Sequence, residues 1–130
     1  LEAKGLRPRV FYAESLGGYQ NYLLPETETM FSLSSSGKVG IFALSDYMAM
    51  DLTAMLTRKG LNAQIGQRFL VIGYDDLPVC RHCCPALTTI RQPFCELGRR
   101  GMELLVKMIT LDEAGQNNML QPELVIRESA

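Results

Sequence analysis

Short apolar runs alternate along the chain with longer segments in which apolar residues recur every three or four positions. Val39 to Leu44 and Phe69 to Ile72 are unbroken apolar runs that end in polar or turn-forming residues. Such runs are typical of strands that are covered on both faces of a parallel sheet. Leu87 to Ile90 is a third run with strand-forming residues. A last strand is predicted from 120 to 127, and Pro122 within it favours an edge position.

Two amphipathic segments lie between these runs and predict helices. The first runs from Asp46 to Lys59, with Asp46 as the expected N-cap and Gly60 as a left-handed C-terminal stop. The second begins at Pro93, a favoured first helical residue, and continues to about Thr110. Strands that alternate with helices in this way predict an α/β fold with a mostly parallel sheet flanked by helices.

The pattern before residue 38 is less regular. It predicts the tail of a helix that stops at Gly5, a strand from Arg9 to Ala13, and a helix from Ser15 to Leu24. Pro25 is expected to start a second helical piece that reaches about Leu33.

Composition narrows the class of protein. A chain of 130 residues, 47% hydrophobic and 21% charged, is enough for one globular domain with a modest core. Its net charge of −1 argues against a nucleic-acid binder acting alone. No apolar run is long enough to span a membrane, and the first residues do not resemble a signal peptide. Because the chain starts at Leu1 and not at Met, we expect a fragment or a processed product.

Asp75 is the strongest candidate for a ligand contact, because it lies just beyond the central apolar run. Ligands of open parallel sheets bind just beyond the carboxyl ends of the strands. A carboxylate there can accept hydrogen bonds from sugar hydroxyls or purine N–H groups. The alternative is a turn residue that satisfies local backbone amides. Asp76 is expected to be a loop or capping residue.

The cysteines are crowded between residues 80 and 84, with Cys80, Cys83 and Cys84 beside His82, and Cys95 stands further on. Structural zinc needs four converging ligands, commonly from two Cys-x-x-Cys pairs, and only one pair is present. We therefore predict no metal site, and a loop whose small side chains pack locally. Unpaired cysteines in this arrangement favour a reducing, cytoplasmic setting.

The sequence contains no nucleophile–base pair and no phosphate-binding loop, so neither an enzyme nor a cofactor is predicted.

Four stretches together resemble the effector-binding domain of the lactose/galactose-repressor family of bacterial transcription regulators. In order, they are Ile41-Phe-Ala-Leu-Ser-Asp, Val71-Ile-Gly-Tyr-Asp-Asp with Pro85-Ala-Leu-Thr-Thr-Ile-Arg-Gln-Pro, Glu96-Leu-Gly-Arg-Arg-Gly-Met-Glu-Leu-Leu, and Leu124-Val-Ile-Arg-Glu-Ser. The resemblance covers about residues 38 to 130 and implies one part of a two-lobed, periplasmic-binding-protein-like fold. Residues 1–130 would then form a partial effector-binding domain, in which a helix at about 93–110 crosses to the other lobe.

The resemblance also implies which residues bind the effector. Asp75 occupies the family's acidic contact position, and Phe94 an apolar position that lines the pocket. Ser45 stands where several members use Asn to bind a sugar hydroxyl, so the effector's identity stays open. Gln92 is a weaker candidate, as a supporting polar group.

The function implied is that of a cytoplasmic sensor for a small sugar or sugar-like metabolite. It would act as a homodimer and reach DNA only through an N-terminal helix-turn-helix head outside this sequence, with no membrane partner. A periplasmic sugar-binding protein of a transport system and a phosphoryl-accepting receiver domain are the alternatives. If the first lobe is absent, the apolar stripe of the helix at 93–110 lacks its usual cover. We then expect this helix to pair with its copy in a dimer, and Gly98 and Gly101 would allow close approach.

Overall fold

The computed structural model of the protein describes residues 5, 8, 10, 37–111 and 119–130. The strand and helices predicted between residues 9 and 33 lie outside the described residues, as does the helix tail predicted before Gly5.

Four strands and two helices make up the described part, and they follow the order that the apolar pattern predicts. They are β1 (Val39–Phe42), α1 (Asp46–Arg58), β2 (Phe69–Asp75), β3 (Thr88–Arg91), α2 (Phe94–Leu111) and β4 (Glu123–Val125). Short 3₁₀ turns at Asn62–Gln64 and Pro78–His82 lie in the two connections that flank β2. Neither described helix is long and apolar enough to cross a membrane.

The strands form one sheet in the order β1-β2-β3-β4. The first three are parallel, and β4 returns antiparallel to β3. The sheet is therefore mostly parallel, as predicted, and the strand that follows Pro122 lies at its edge. One row of the register joins Asp75 of β2 to Arg91 of β3, and Arg91 to Glu123 of β4.

The core lies between α1 and one face of the sheet. It contains Ala49, Leu52 and Leu56 of α1, Phe69 and Val71 of β2, and Ala43, Ile65, Cys80 and Leu87 of the neighbouring segments. Alternate residues of β2 are buried, and those between them are only half-buried. The expectation that both faces of this strand are covered therefore holds for the α1 face alone, within the described residues.

The start of α1 differs from the prediction by one residue. Ser45 is the N-cap, and its side chain accepts a hydrogen bond of 3.3 Å from the backbone N–H of Met48. Asp46, the predicted cap, is instead the first helical residue and is fully buried. Burial is possible because Gly73 lies beside it: a Cβ at Gly73 would overlap the Asp46 carboxylate. The expected role of Asp46 as a cap is therefore wrong.

The end of α1 follows the prediction. Gly60 has a φ of 75°, a left-handed conformation that glycine adopts without steric cost. Its N–H donates to the carbonyl of Thr57, and the N–H of Leu61 donates to the carbonyl of Leu56. These two bonds form a Schellman motif, which satisfies carbonyls left free at the helix end.

The second helix stands apart from the described core. It begins at Phe94, directly after Pro93, and none of its residues is buried. Phe94, Leu97, Leu105 and Met108 of the predicted apolar stripe are 40 to 53% exposed, while Leu104 is half-buried. The stripe is thus not covered by the described sheet.

Candidate functional site

Two consecutive acidic residues at the end of β2 have unusual backbone conformations. Asp75 has a φ of 118° and Asp76 a φ of 57°. Positive φ is rare outside glycine, and such strain costs about 1–3 kcal/mol per residue. Strained residues persist where the surrounding structure holds them, and they cluster at functional sites. The conformation therefore adds a structural reason to consider this strand end as a site.

Gln92 is the side chain that contacts Asp75. Its amide Nε2 donates a hydrogen bond of 2.7 Å to Oδ1 of the carboxylate, and both residues are half-buried. The amide is neutral, so the negative charge of Asp75 is not compensated within this contact. The structure thus joins two of the four predicted site residues, from the ends of adjacent parallel strands.

Asp76 is in a different environment: it lies in the loop after β2, as predicted, and its side chain is buried. Its side chain is 4% exposed and forms ion pairs with Nε of Arg91 at 2.7 Å and Nη2 of Arg127 at 2.5 Å. Burial acts to raise the pKa of Asp76. Hydrogen bonds and positive charge from Arg127 and Arg91 outweigh burial and leave this pKa below its usual value. Asp76 is therefore a structural anion whose two oxygens are both engaged.

The two arginines were not predicted as site residues. Arg127 also donates to the carbonyl of Leu87 at 2.7 Å, and its backbone N–H donates to Thr88 Oγ1 at 2.8 Å. Arg91 reaches Glu123 of β4 at 2.9 Å. Arg127 follows Asp76 by 51 residues, and no local pattern connects them. For Arg91 the sequence did contain a signal. It directly follows the third apolar run, and the ends of adjacent parallel strands lie side by side, which places Arg91 next to the end of β2.

Phe94 lies two residues beyond Gln92, and its backbone N–H donates to the Gln92 carbonyl at 2.9 Å. The residue is 53% exposed, and it follows β3 at the end of the sheet where Asp75 stands. Phe94 is the first residue of α2, and it is not buried against the described sheet. Further apolar surface comes from Phe42 and Tyr74, whose rings meet edge to face with centroids 6.2 Å apart.

Ser45 lies beyond the end of β1, at the same edge of the sheet as Asp75. Its hydroxyl oxygen accepts the capping hydrogen bond from Met48, and its side chain is half-buried. The hydroxyl proton is not used by that bond, since the oxygen is the acceptor. Ser45 can therefore serve as a cap and as a donor to a ligand, and its role in binding stays a prediction.

A buried carboxylate links this edge to the core. Oδ2 of Asp46 accepts from the N–H of Leu77 at 2.7 Å, and Oδ1 accepts from the hydroxyl of Thr89 at 2.5 Å. Leu77 directly follows the strained acidic pair. Asp46 therefore fixes the backbone directly after Asp75 and Asp76, at Leu77.

Two of the crowded cysteines, Cys80 and Cys83, have environments that disfavour the thiolate. Burial raises the pKa of the Cys80 thiol to about 12, with a further contribution from its hydrogen bond to Asp46. Burial and the Asp46 charge also raise the pKa of Cys83, whereas Cys84 and Cys95 are exposed. Within residues 37–111 and 119–130, no three histidine, cysteine or acidic side chains gather as metal ligands could.

The described residues define a class of fold: a mostly parallel α/β sheet with acidic residues where the central strand ends. The chain belongs to the family of periplasmic binding protein-like domains, and the match covers residues 1–130. This membership confirms the predicted fold class.

The curated relatives are repressors. The chain is 37% identical over 93 residues to the HTH-type transcriptional repressor PurR of Haemophilus influenzae, which covers 68% of this chain and 27% of that protein. It thus spans about a quarter of the length of the relative. These similarities confirm the resemblance to the lactose-repressor family and favour a regulator over a transport protein.

Two solved structures share the fold. A LacI-family transcriptional regulator from Enterococcus faecium with bound ribose is 32% identical, with a TM-score of 0.64 over 78% of this chain and 38% of that chain. The transcriptional regulator CelR in its cellobiose complex is 28% identical, with a TM-score of 0.80 over 100% of this chain and 39% of that chain.

Proposed function

We propose that this chain is the ligand-recognising part of an effector-binding domain of a bacterial transcription repressor, and that its ligand is a small sugar or sugar-like metabolite. Asp75 is the observation that carries the proposal. It is a strained, half-buried carboxylate at the end of a parallel strand, with a neutral amide as its hydrogen-bonding side chain.

The chemistry of the strand ends suits a sugar. A carboxylate accepts strong hydrogen bonds from hydroxyl groups, and the exposed ring of Phe94 can cover the apolar face of a pyranose or furanose. Gln92 orients Asp75, and Ser45 supplies a hydroxyl donor at the neighbouring strand end. Ribose and cellobiose are the ligands named for two similar regulators, which supports a carbohydrate.

The partners follow from the family. We infer a cytoplasmic protein without catalytic activity, which acts as a homodimer and contacts DNA through an N-terminal helix-turn-helix head outside this sequence. A ligand can regulate such a protein only if it binds one arrangement of the lobes better than the other. The described strand ends would supply one wall of the pocket between the lobes.

A thermal-shift screen tests the proposal. The chain is heated with D-ribose, cellobiose, other sugars, sugar phosphates, polyols and nucleobases, because a ligand of the native state raises apparent stability by about 2.7 kcal/mol at one hundred times its dissociation constant. We expect stabilisation by at least one carbohydrate.

Asp75→Asn provides the matched test of the site. The variant should fold normally and lose about 1.5–3 kcal/mol of binding free energy by calorimetry, because one charged hydrogen bond is lost. Arg99→Gln on the exposed side of α2 is the control and should bind as the wild type does. No stabilisation by any carbohydrate, or equal affinity of Asp75→Asn and the wild type, would contradict the proposal.

A further inference from the structure

The chain leaves the sheet and returns to it beside Asp75. It leaves at Arg91, the last residue of β3, and returns at Glu123, the first residue of β4, with α2 in the segment between them. Asp75, Arg91 and Glu123 stand in one row of the register across three strands. The outgoing segment therefore begins on the strand next to the candidate ligand position, and the incoming segment ends one strand further on.

One carboxylate joins the end of β3 to the chain that follows β4. Asp76 pairs with Arg91, where the outgoing segment begins, and with Arg127, which lies two residues beyond the far end of β4. Arg91 also pairs with Glu123, so it connects the outgoing segment to the start of β4. Among these side chains Asp76 is 4% exposed and Arg127 12% exposed, so water screens this pair little. A charge buried to this extent is costly once its partner is removed.

The same cluster holds the strained backbone. Asp75 and Asp76 share a peptide bond, and both have positive φ. Fixing the Asp76 carboxylate between two guanidinium groups therefore also fixes the direction in which Asp75 leaves the strand. Directly after Asp76, the N–H of Leu77 donates a hydrogen bond to the Asp46 carboxylate. Asp76 itself is no candidate for ligand contact, because both of its oxygens are already paired and buried.

We propose that Asp76, with Arg91 and Arg127, is a positioning cluster that holds Asp75 in its ligand-binding conformation and ties the end of β3 and the chain that follows β4 to that position. The ligand part of this inference rests on the proposed function, whereas the bracing of these two segments does not. Occupancy of Asp75 and the start of the segment leading to α2 are then coupled through Arg91.

Hydrogen exchange without ligand tests the bracing. Amide exchange is measured by NMR for the wild type, Asp76→Asn, Arg127→Gln and the double variant, at the amides of residues 75–77, 91–92 and 123–127. Each single variant should exchange about tenfold faster in both segments, at residues 91–92 beside Arg91 and at residues 123–127 of β4 and the chain after it. The double variant should exceed neither single variant by much, because both changes remove the same cluster. The core amides of α1 should keep their protection.

Controls separate positioning from a general loss of stability. Arg99→Gln removes two exposed ion pairs on α2, with Glu96 and Glu103, and should leave both segments unchanged. Arg91→Gln removes the more exposed of the two ion pairs of Asp76, and it serves as the second variant if Asp76→Asn does not fold. Faster exchange only in the segment that carries the substitution, or a uniform increase that includes α1, would overturn the inference.

The ligand arm uses D-ribose and cellobiose as probes in calorimetry. If neither binds the wild type, the proposed function loses support, and the exchange experiment still decides the bracing. If one binds, Asp76→Asn should weaken it about tenfold although Asp76 does not touch it, and Arg99→Gln should not. Wild-type affinity in Asp76→Asn, combined with faster exchange in both segments, would overturn the positioning role.

Discussion

The side-chain amide of Gln92 donates a hydrogen bond of 2.7 Å to the carboxylate of Asp75, from the end of the adjacent parallel strand. The partner of the next residue is of another kind: Asp76 is paired with two arginines. The two consecutive carboxylates are therefore in different environments: Asp76 is buried and has both oxygens paired with arginines, whereas Asp75 is half-buried and contacts a neutral amide. This difference supports our proposal that a ligand contacts the first of the two.

Gln92→Glu should disturb Asp75 directly. The substitution removes the amide donor and places a second carboxylate beside that of Asp75, where it competes for the same hydrogen-bond donors. Affinity for the carbohydrate found by the thermal-shift screen should fall about tenfold at pH 7. Calorimetry measures this, and Gln67→Glu at an exposed position is the control. Wild-type affinity would show that Gln92 does not orient Asp75.

Asp76 should make stability depend on acid. Its pKa is lower in the folded than in the unfolded protein, where a free Asp titrates near 3.9, so folding favours the ionised form. The contribution is complete above about pH 4 and is lost as the pH falls through the lowered folded value. Urea unfolding from pH 7 down to pH 3 should show this loss in the wild type. The difference in stability between the wild type and Asp76→Asn should shrink over the same range, and a constant difference would contradict the assignment.

Gly73→Ala should be strongly destabilising. The new methyl group would overlap the buried Asp46 carboxylate, and forced overpacking of a core costs about 1–3 kcal/mol. Gly40→Ala on the neighbouring strand is the control, since a Cβ there meets nothing within 4 Å. Urea denaturation of both variants measures the contrast. Equal stability of the two would mean that α1 does not lie against β2 at Gly73 as described.

The exposed stripe of α2 should cause self-association. Leaving large apolar side chains in water forfeits roughly 1.5–3 kcal/mol each, so pairing with the same helix of a second chain is favourable. Sedimentation should show a dimer that Leu105→Lys converts to a monomer. Thr110→Lys, a charge introduced at an exposed residue outside the predicted stripe, should leave the dimer intact. A wild-type monomer at high concentration would contradict this prediction.

The sequence by itself determined the elements and the position of Asp75. Apolar runs and helical spacing reflect local burial, so they predict the described strands and helices and the Schellman end at Gly60. An acidic residue after a central parallel strand must lie at the ligand edge of the sheet, whatever the rest of the chain does. The family motif agreed with this placement, and the comparisons confirmed the family.

Only the tertiary structure decided which polar groups are buried together. Ser45 and Asp46 are both good caps, and the choice depended on space left by Gly73, 27 residues beyond Asp46. The pairing of Asp76 with Arg127 spans 51 residues and follows from the antiparallel return of β4. Hydrogen bonds and ion pairs between distant residues leave no periodic signal in a chain, because they depend on register and on which side chains find a common buried position.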